Sequence, residues 1–239
     1  MNLKGVLDLL YPISCAVCGA PSPAHLCAAC RASIHVRAAE TCCRRCGKVV
    51  MEAVSAGVAA PLCGPCRDQP PKFDLARSAA EFKGPVRELV HLFKYHKGTW
   101  LCDELADLLE GCFLAHCRGE APDVVCPVPL NRAKARERGY NQAGLLAEAL
   151  AARIGVPAVP GILVRCRNTP TQTHLGAAGR WANVAGAFLS PPHLRPWAYG
   201  RCVLLVDDVM TTGATLSECA GALKANGAER VVALTVARD

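Results

Sequence analysis

Two groups of residues in this chain are spaced for chemistry. The first lies near the C-terminus: Val203-Leu-Leu-Val206, then Asp207-Asp208, Val209-Met210 and Thr211-Thr212-Gly213-Ala214-Thr215. A glycine in a small, hydroxyl-rich turn leading into a helix offers backbone N–H groups, side-chain donors and a positive dipole end to one phosphate group. The two acids before it would be repelled by that phosphate, so they must face something else. Vicinal hydroxyls of a sugar fit, as does a hydrated magnesium ion on those hydroxyls. Acids followed by a phosphate nest describe a ribose 5-phosphate lying along the end of a strand. The Walker A pattern and the dinucleotide fingerprint are both absent.

The second group is the front end, where nine of the sixteen cysteines fall within the first 66 positions. Four close pairs occur in order: Cys15/Cys18, Cys27/Cys30, Cys43/Cys46 and Cys63/Cys66. The first and third are followed by Gly19 and Gly47, so the pattern is an internal repeat. Two tight knuckles brought together by a hairpin supply the four soft ligands of a tetrahedral zinc ion, and the glycine permits the turn that aims amides at sulfur. Sequential pairing puts Cys15, Cys18, Cys27 and Cys30 on one structural Zn²⁺ and Cys43, Cys46, Cys63 and Cys66 on another. Interleaved pairing, a redox pair, iron–sulfur ligation and Cys42 in place of Cys43 are the alternatives. A segment so rich in Ala, Pro and Gly folds on metal rather than on apolar burial, so chelation should unfold residues 1–70 and leave the rest folded. The cysteines at 102, 112, 117, 126, 166, 202 and 219 read as small core side chains.

The elements that must position these groups follow from apolar spacing. After the linker at Gln69-Pro70-Pro71, helical periods run over Val86–Tyr95, Trp100–Phe113, Gln142–Ile154 and Leu216–Ala225. Short apolar runs at Asp123–Val128, Val203–Val206 and Val231–Val236 read as buried strands. Strands alternating with helices predict an α/β domain over 71–239, with a parallel sheet covered on both faces and ligands at the carboxyl ends of its strands.

The formal charge of +7 is not spread evenly. Residues 131–201 hold ten basic side chains against Glu137 and Glu148, a balance of +8, which predicts an anionic partner there: a polyphosphate or a nucleic-acid backbone. Arg132, Lys134, Arg136 and Arg138 alternate along the segment Asn131–Gln142. Spacing by two cannot put all four on one helical face, which favours an extended loop wrapping an anion. The N-terminal apolar stretch is broken by Asp8, and the stretch from Ala143 to Val164 is cut by Glu148, Arg153, Pro157 and Pro160. Neither an export signal nor a membrane span is expected, which predicts a cytoplasmic protein.

The string from Val203 to Thr215 closely resembles the phosphoribosyl pyrophosphate (PRPP) signature of type I phosphoribosyltransferases. With Arg138-Gly-Tyr-Asn-Gln142, Phe93-Lys-Tyr95, Thr169-Pro-Thr-Gln172, Asn183–Phe188 and the four cysteine pairs, nearly the whole chain resembles the ComF family. That family joins a double zinc ribbon to a phosphoribosyltransferase-like, amidophosphoribosyltransferase-related domain, and it is linked to DNA uptake and utilisation in naturally competent bacteria.

The resemblance implies a five-stranded parallel core with a mobile hood, PRPP bound with Mg²⁺, and pentosyl transfer to an unknown acceptor with loss of pyrophosphate. Asp207 and Asp208 would hold the ribose hydroxyls and Mg²⁺, with Val209, Met210, Thr211, Thr212, Gly213, Ala214 and Thr215 forming the 5-phosphate loop. Pyrophosphate would meet Arg132, Lys134, Arg136 and Arg138, under a flap running from Arg165 to Arg180. A non-catalytic module that engages single-stranded DNA and competence-machinery proteins is the alternative.

Overall fold

The three apolar runs become strands of one parallel sheet in the computed structural model, which describes residues 13–36, 42–50, 61–167 and 176–239, and a fourth strand, unexpected from the sequence, joins them at Leu75–Glu81. The stretch around Asp8 and the segment Thr169–Gln172 lie outside the described residues. The strands are β1 (Leu75–Glu81), β2 (Val124–Pro127), β5 (Cys202–Met210) and β6 (Arg230–Arg238), in the order β1-β6-β5-β2. The fifth strand implied by the resemblance is reduced to an isolated parallel bridge. Val125 donates to Pro157 O and accepts from Val159 N, both at 2.9 Å, and Pro157 and Pro160 stop the pairing there. A small hood stands apart, made of β3 (Val164–Arg165) and β4 (Phe188–Leu189), paired antiparallel.

Alternation along the strands sorts the core into two layers. Val125, Leu204, Val206, Val232 and Leu234 pack with helices α3 (Gly84–Tyr95), α4 (Cys102–His116) and α6 (Gln142–Ile154). Val124, Cys126, Val203, Leu205, Val231 and Ala233 pack on the other face with the hood, which also carries α7 (Ala177–Val184), and with α8 (Ala214–Ala225). These helices are positioned by their apolar stripes: α3 buries Val86, Leu89, Val90 and Phe93, and α6 buries Leu146, Ala147 and Leu150.

The two cysteine quartets sit in different layers. Cys15, with Leu26 and Ile34, joins the α3/α4 layer, whereas Cys43, Cys46, Cys63 and Cys66 join the α8 layer beside Phe73 and Ala76. Both ribbons also cover the edge of β1, which blunts an otherwise open strand. Val36 bridges Ala80 and His35 O accepts from Glu81 N, while Arg45 O accepts from Ala76 N at 2.7 Å. The short helices α1 (Ala28–Ala32) and α2 (Gly64–Asp68) carry Cys30 and Cys66. No helix among the described residues is long and apolar enough to cross a membrane.

One element departs from its expected form. Arg132–Arg138 is a helix, α5, not an extended loop. Asn131 caps it, its side-chain oxygen accepting from Ala133 N at 2.9 Å, and Gly139 ends it at φ +85°. The interior is all Ala, Lys, Arg and Glu, strong helix formers between a good cap and a good stop. Of the seven remaining cysteines, Cys166 is exposed rather than in the core.

Candidate functional site

Each quartet is built by the same local turn twice. Gly19 (φ +73°) and Gly47 (φ +69°) donate to Cys15 O and Cys43 O, each at 2.9 Å. Burial would push the Cys15 thiol up, but the amides of Cys27, Cys18 and Val17 outweigh it and pull it down to about 6. Cys43, the equivalent position, is pulled down to about 7 against burial by the amides of Cys46, Cys63 and Arg45. In each set one sulfur per residue lies within 4.8 Å of the others. Cys18 and Cys27 sulfurs are 3.8 Å apart, and Cys46 and Cys63 sulfurs 3.6 Å. Zinc–sulfur bonds of about 2.3 Å in a tetrahedron require a sulfur spacing of about 3.8 Å, so both sets fit Zn²⁺. Pairing is sequential, with Cys43 and not Cys42 in the second set. Cys18 is exposed, whereas all four sulfur ligands of the second set are buried.

At the carboxyl ends of β5 and β6 a cavity of about 510 Å³ opens, lined by the turn Thr211–Thr215. Gly213 takes φ +83° and caps α8 with no side chain of its own to compete for the first-turn N–H groups. A Cβ at Gly213 would stand 2.6 Å from the Met210 methyl and 3.5 Å from the Phe73 ring. Gly213→Ala is therefore expected to cost about 1–2 kcal/mol of stability and to crowd the phosphate nest. Thermal unfolding and phosphate-ester titration of that variant check this. A variant with the stability and affinity of the parent would remove the nest from the site.

The two acids part company. β5 runs through them to Met210, so strand alternation sends adjacent side chains to opposite faces. Asp207 lines the cavity. Asp208 is 4% exposed and turns toward α3, where Lys94 Nζ meets its Oδ1 at 2.9 Å and its Oδ2 is buried without a hydrogen-bond partner. Burial raises the Asp207 carboxyl to about 8, and the adjacent negative charge of Asp208 adds to the rise. Lys94 is held above its ordinary value: burial opposes this, and Asp208 overcomes it.

Helix α5 also divides its basic residues. Lys134 and Arg138, one turn apart, line the cavity, while Arg132 and Arg136 are exposed on another face. This replaces the expectation that all four meet one anion. The cavity instead recruits basic residues that were assigned no role from the sequence, Arg87, His91 and Lys94 from α3, along with Arg165 and Arg180, the two ends of the expected flap. The signal for the first three was present, as polar positions i, i+4 and i+7 beside the apolar stripe of α3. The Lys134 ammonium is lowered by burial and then by Arg138, Arg165 and Lys94, the mark of crowded positive charge. Tyr140 donates its hydroxyl to Phe93 O, and Arg138 stacks over Tyr95 at 5.3 Å, which joins the two short motifs into one wall of the cavity.

A parallel sheet covered on both faces, a small hood, a glycine turn opening on a cavity at the strand ends and two tetracysteine clusters define a phosphoribosyltransferase fold carrying a double zinc ribbon. The double zinc ribbon domain family matches residues 6–67, and the phosphoribosyl transferase domain family matches residues 141–239. Competence protein F of Haemophilus influenzae is 32% identical over 222 residues, covering 89% of this chain and 96% of that protein. DNA utilization protein YhgH of Salmonella typhi is 32% identical over 229 residues, covering 93% and 96%. The chain belongs to the ComF family. Among solved structures, glutamine PRPP amidotransferase from B. subtilis aligns at TM-score 0.38 and 21% identity, over 56% of this chain and 26% of that one.

Proposed function

We propose that the cavity binds PRPP with Mg²⁺ and that the protein is a phosphoribosyltransferase acting in DNA utilisation, the process for which its relatives are named. The observation that carries this is the crowd of cations around Lys134 and the glycine turn lining one cavity, into which Asp207 also opens and which Asp239 borders. The nest takes the 5-phosphate, Asp207 accepts from the ribose hydroxyls, and Lys134, Arg138 and Lys94 face the pyrophosphate. Asp207 opens its carboxylate into the cavity, a hard oxygen donor that suits Mg²⁺, while Asp208 faces Lys94 on the other side of β5. When bound, Mg²⁺ would neutralise charge on the departing pyrophosphate. Lys134 and Arg138 would stabilise the same charge as it develops, and the hood residues Arg165 and Arg180 would help exclude water. The acceptor is a separate nucleophile, and no side chain of this chain needs to attack.

Calorimetric titration with PRPP in the presence of Mg²⁺ tests the reading, and saturable binding at one site is expected. No heat with PRPP alongside intact zinc content would reject it. The titration also carries a pH dependence. Asp207 must lose its proton to accept from the hydroxyls, and its folded value lies above the ordinary carboxylate range, near 8. Affinity is expected to rise between pH 6 and about 8 and then level off. The linked stability has the opposite sign: the protonated carboxyl stabilises the ligand-free fold below the unfolded value, and this is lost as pH rises through about 8. Thermal midpoints of the free protein across the same pH series check that sign.

A further inference from the structure

A second cavity, of about 740 Å³, lies on the far side of the phosphate turn, between the second zinc ribbon and the hood. Thr211, Thr212, Arg180 and Asp239 line both cavities, so the turn forms a threshold between them rather than the end of one. Trp181 and Val49 give the second cavity apolar surface, with Phe73 and Pro71 buried beneath it; Cys46, Cys63 and Cys66 of the second quartet also border it, and Lys48 gives it a further cation. The Arg238 guanidinium also borders it but is committed to Cys46 O, at 2.6 Å, and to the Met210 sulfur. Asp239 at the threshold and Asp68 of α2 are opposing charges, equal in number to Arg180 and Lys48.

A site that recognises only a terminal phosphate monoester would close behind the phosphate. Here the space behind the phosphate is larger than the sugar cavity and lies within the size range, roughly 300–1,000 Å³, of pockets that hold whole small ligands. Its chemistry is a flat indole flanked by two cations and two carboxylates, which suits a planar heterocycle whose phosphate link meets the cations and whose hydroxyl or amino groups donate to the carboxylates. We infer that the turn accepts a sugar phosphate whose 5-phosphate is itself esterified. The ribose lies in the first cavity, the phosphate bridge rests over Thr211 and Thr212, and a second, base-bearing unit stacks against Trp181. The ligand class is a dinucleotide-type phosphate ester. This rests on the sugar-phosphate reading of the first cavity and extends it across the turn.

The test compares two probes that share one ribose phosphate end, ribose 5-phosphate and ADP-ribose, each titrated calorimetrically with Mg²⁺ into the full zinc-loaded chain. Stacking of a base on an aromatic ring changes affinity by roughly fivefold to a hundredfold or more, so ADP-ribose is expected to bind at least about tenfold tighter than ribose 5-phosphate. Trp181→Ala should remove that advantage and leave ribose 5-phosphate binding unchanged. Lys48→Glu, a change at an exposed position, should weaken ADP-ribose alone, and it keeps the test open if the tryptophan variant does not fold. Ribose 5-phosphate bound with ADP-ribose equal or weaker would overturn the inference while leaving the first cavity's reading intact. An ADP-ribose advantage that survives both substitutions would also overturn it, because the second unit would then lie elsewhere. If neither probe binds, the sugar-phosphate reading fails and this inference fails with it.

Discussion

Asp207→Asn should reduce affinity for PRPP and Mg²⁺ at least about a hundredfold without loosening the fold, because it removes the carboxylate proposed to accept from ribose hydroxyls. Each hydrogen bond to a charged group contributes about 1.5–3 kcal/mol, so loss of two accounts for that factor. Stability at pH 9 should rise in this variant, since the burial and the Asp208 charge that raise the Asp207 carboxyl no longer act against an anion. Asp208→Asn should do the reverse. Its partner Lys94 is 20% exposed and loses its counter-charge, which costs about 2–3 kcal/mol of stability, less than for a fully buried pair because Lys94 retains some water. Calorimetry and thermal unfolding of the two single variants separate these effects. Equal binding losses with equal midpoints would mean that both acids face the ligand, against the geometry seen here.

Removal of zinc is the other large effect. A structural zinc contributes on the order of 10 kcal/mol, comparable with the whole stability of an ordinary domain. The expectation that chelation leaves the main domain folded does not survive the packing. Cys43, Cys46, Cys63 and Cys66 share a core with Phe73 and Ala76, and Arg45 O and Cys46 O accept from Ala76 and Arg238. Cys63→Ser should therefore lower the midpoint of the entire chain by more than 10 °C, since about 1 kcal/mol moves the midpoint of a domain this size by roughly 2–4 °C. Cys18→Ser, at an exposed ligand of the first quartet, should cost less. In a chelator time course the first zinc should leave before the second. Zinc content and calorimetric midpoints check both points, and two ions lost together with no change in the main transition would contradict the shared core.

Much of this was legible in the sequence because it depends on neighbours in the chain. Helix α6 has the bounds that its apolar spacing predicts, Gln142–Ile154. Helix α5 was misjudged because the alternation of its cations was weighed above its own ends, Asn131 and Gly139, which are the stronger signal. Strand β5 was expected to stop at Val206, so the two acids were read as one unit, whereas the strand continues and turns them apart.

The four two-residue cysteine knuckles and the glycine turn at 211–215 were determined by the sequence alone, since their geometry lies within a few consecutive residues, whereas which knuckles share a metal site was settled only by the fold. Tertiary structure decided which cations meet at the cavity, which acid faces it, and that the two ribbons lie in opposite layers of the sheet. Lys94, Lys134, Arg165 and Asp207 come from four separate segments. Coulomb interactions depend on distance in space, and for residues so far apart in the chain only the packing of the helices and the hood on the sheet sets that distance.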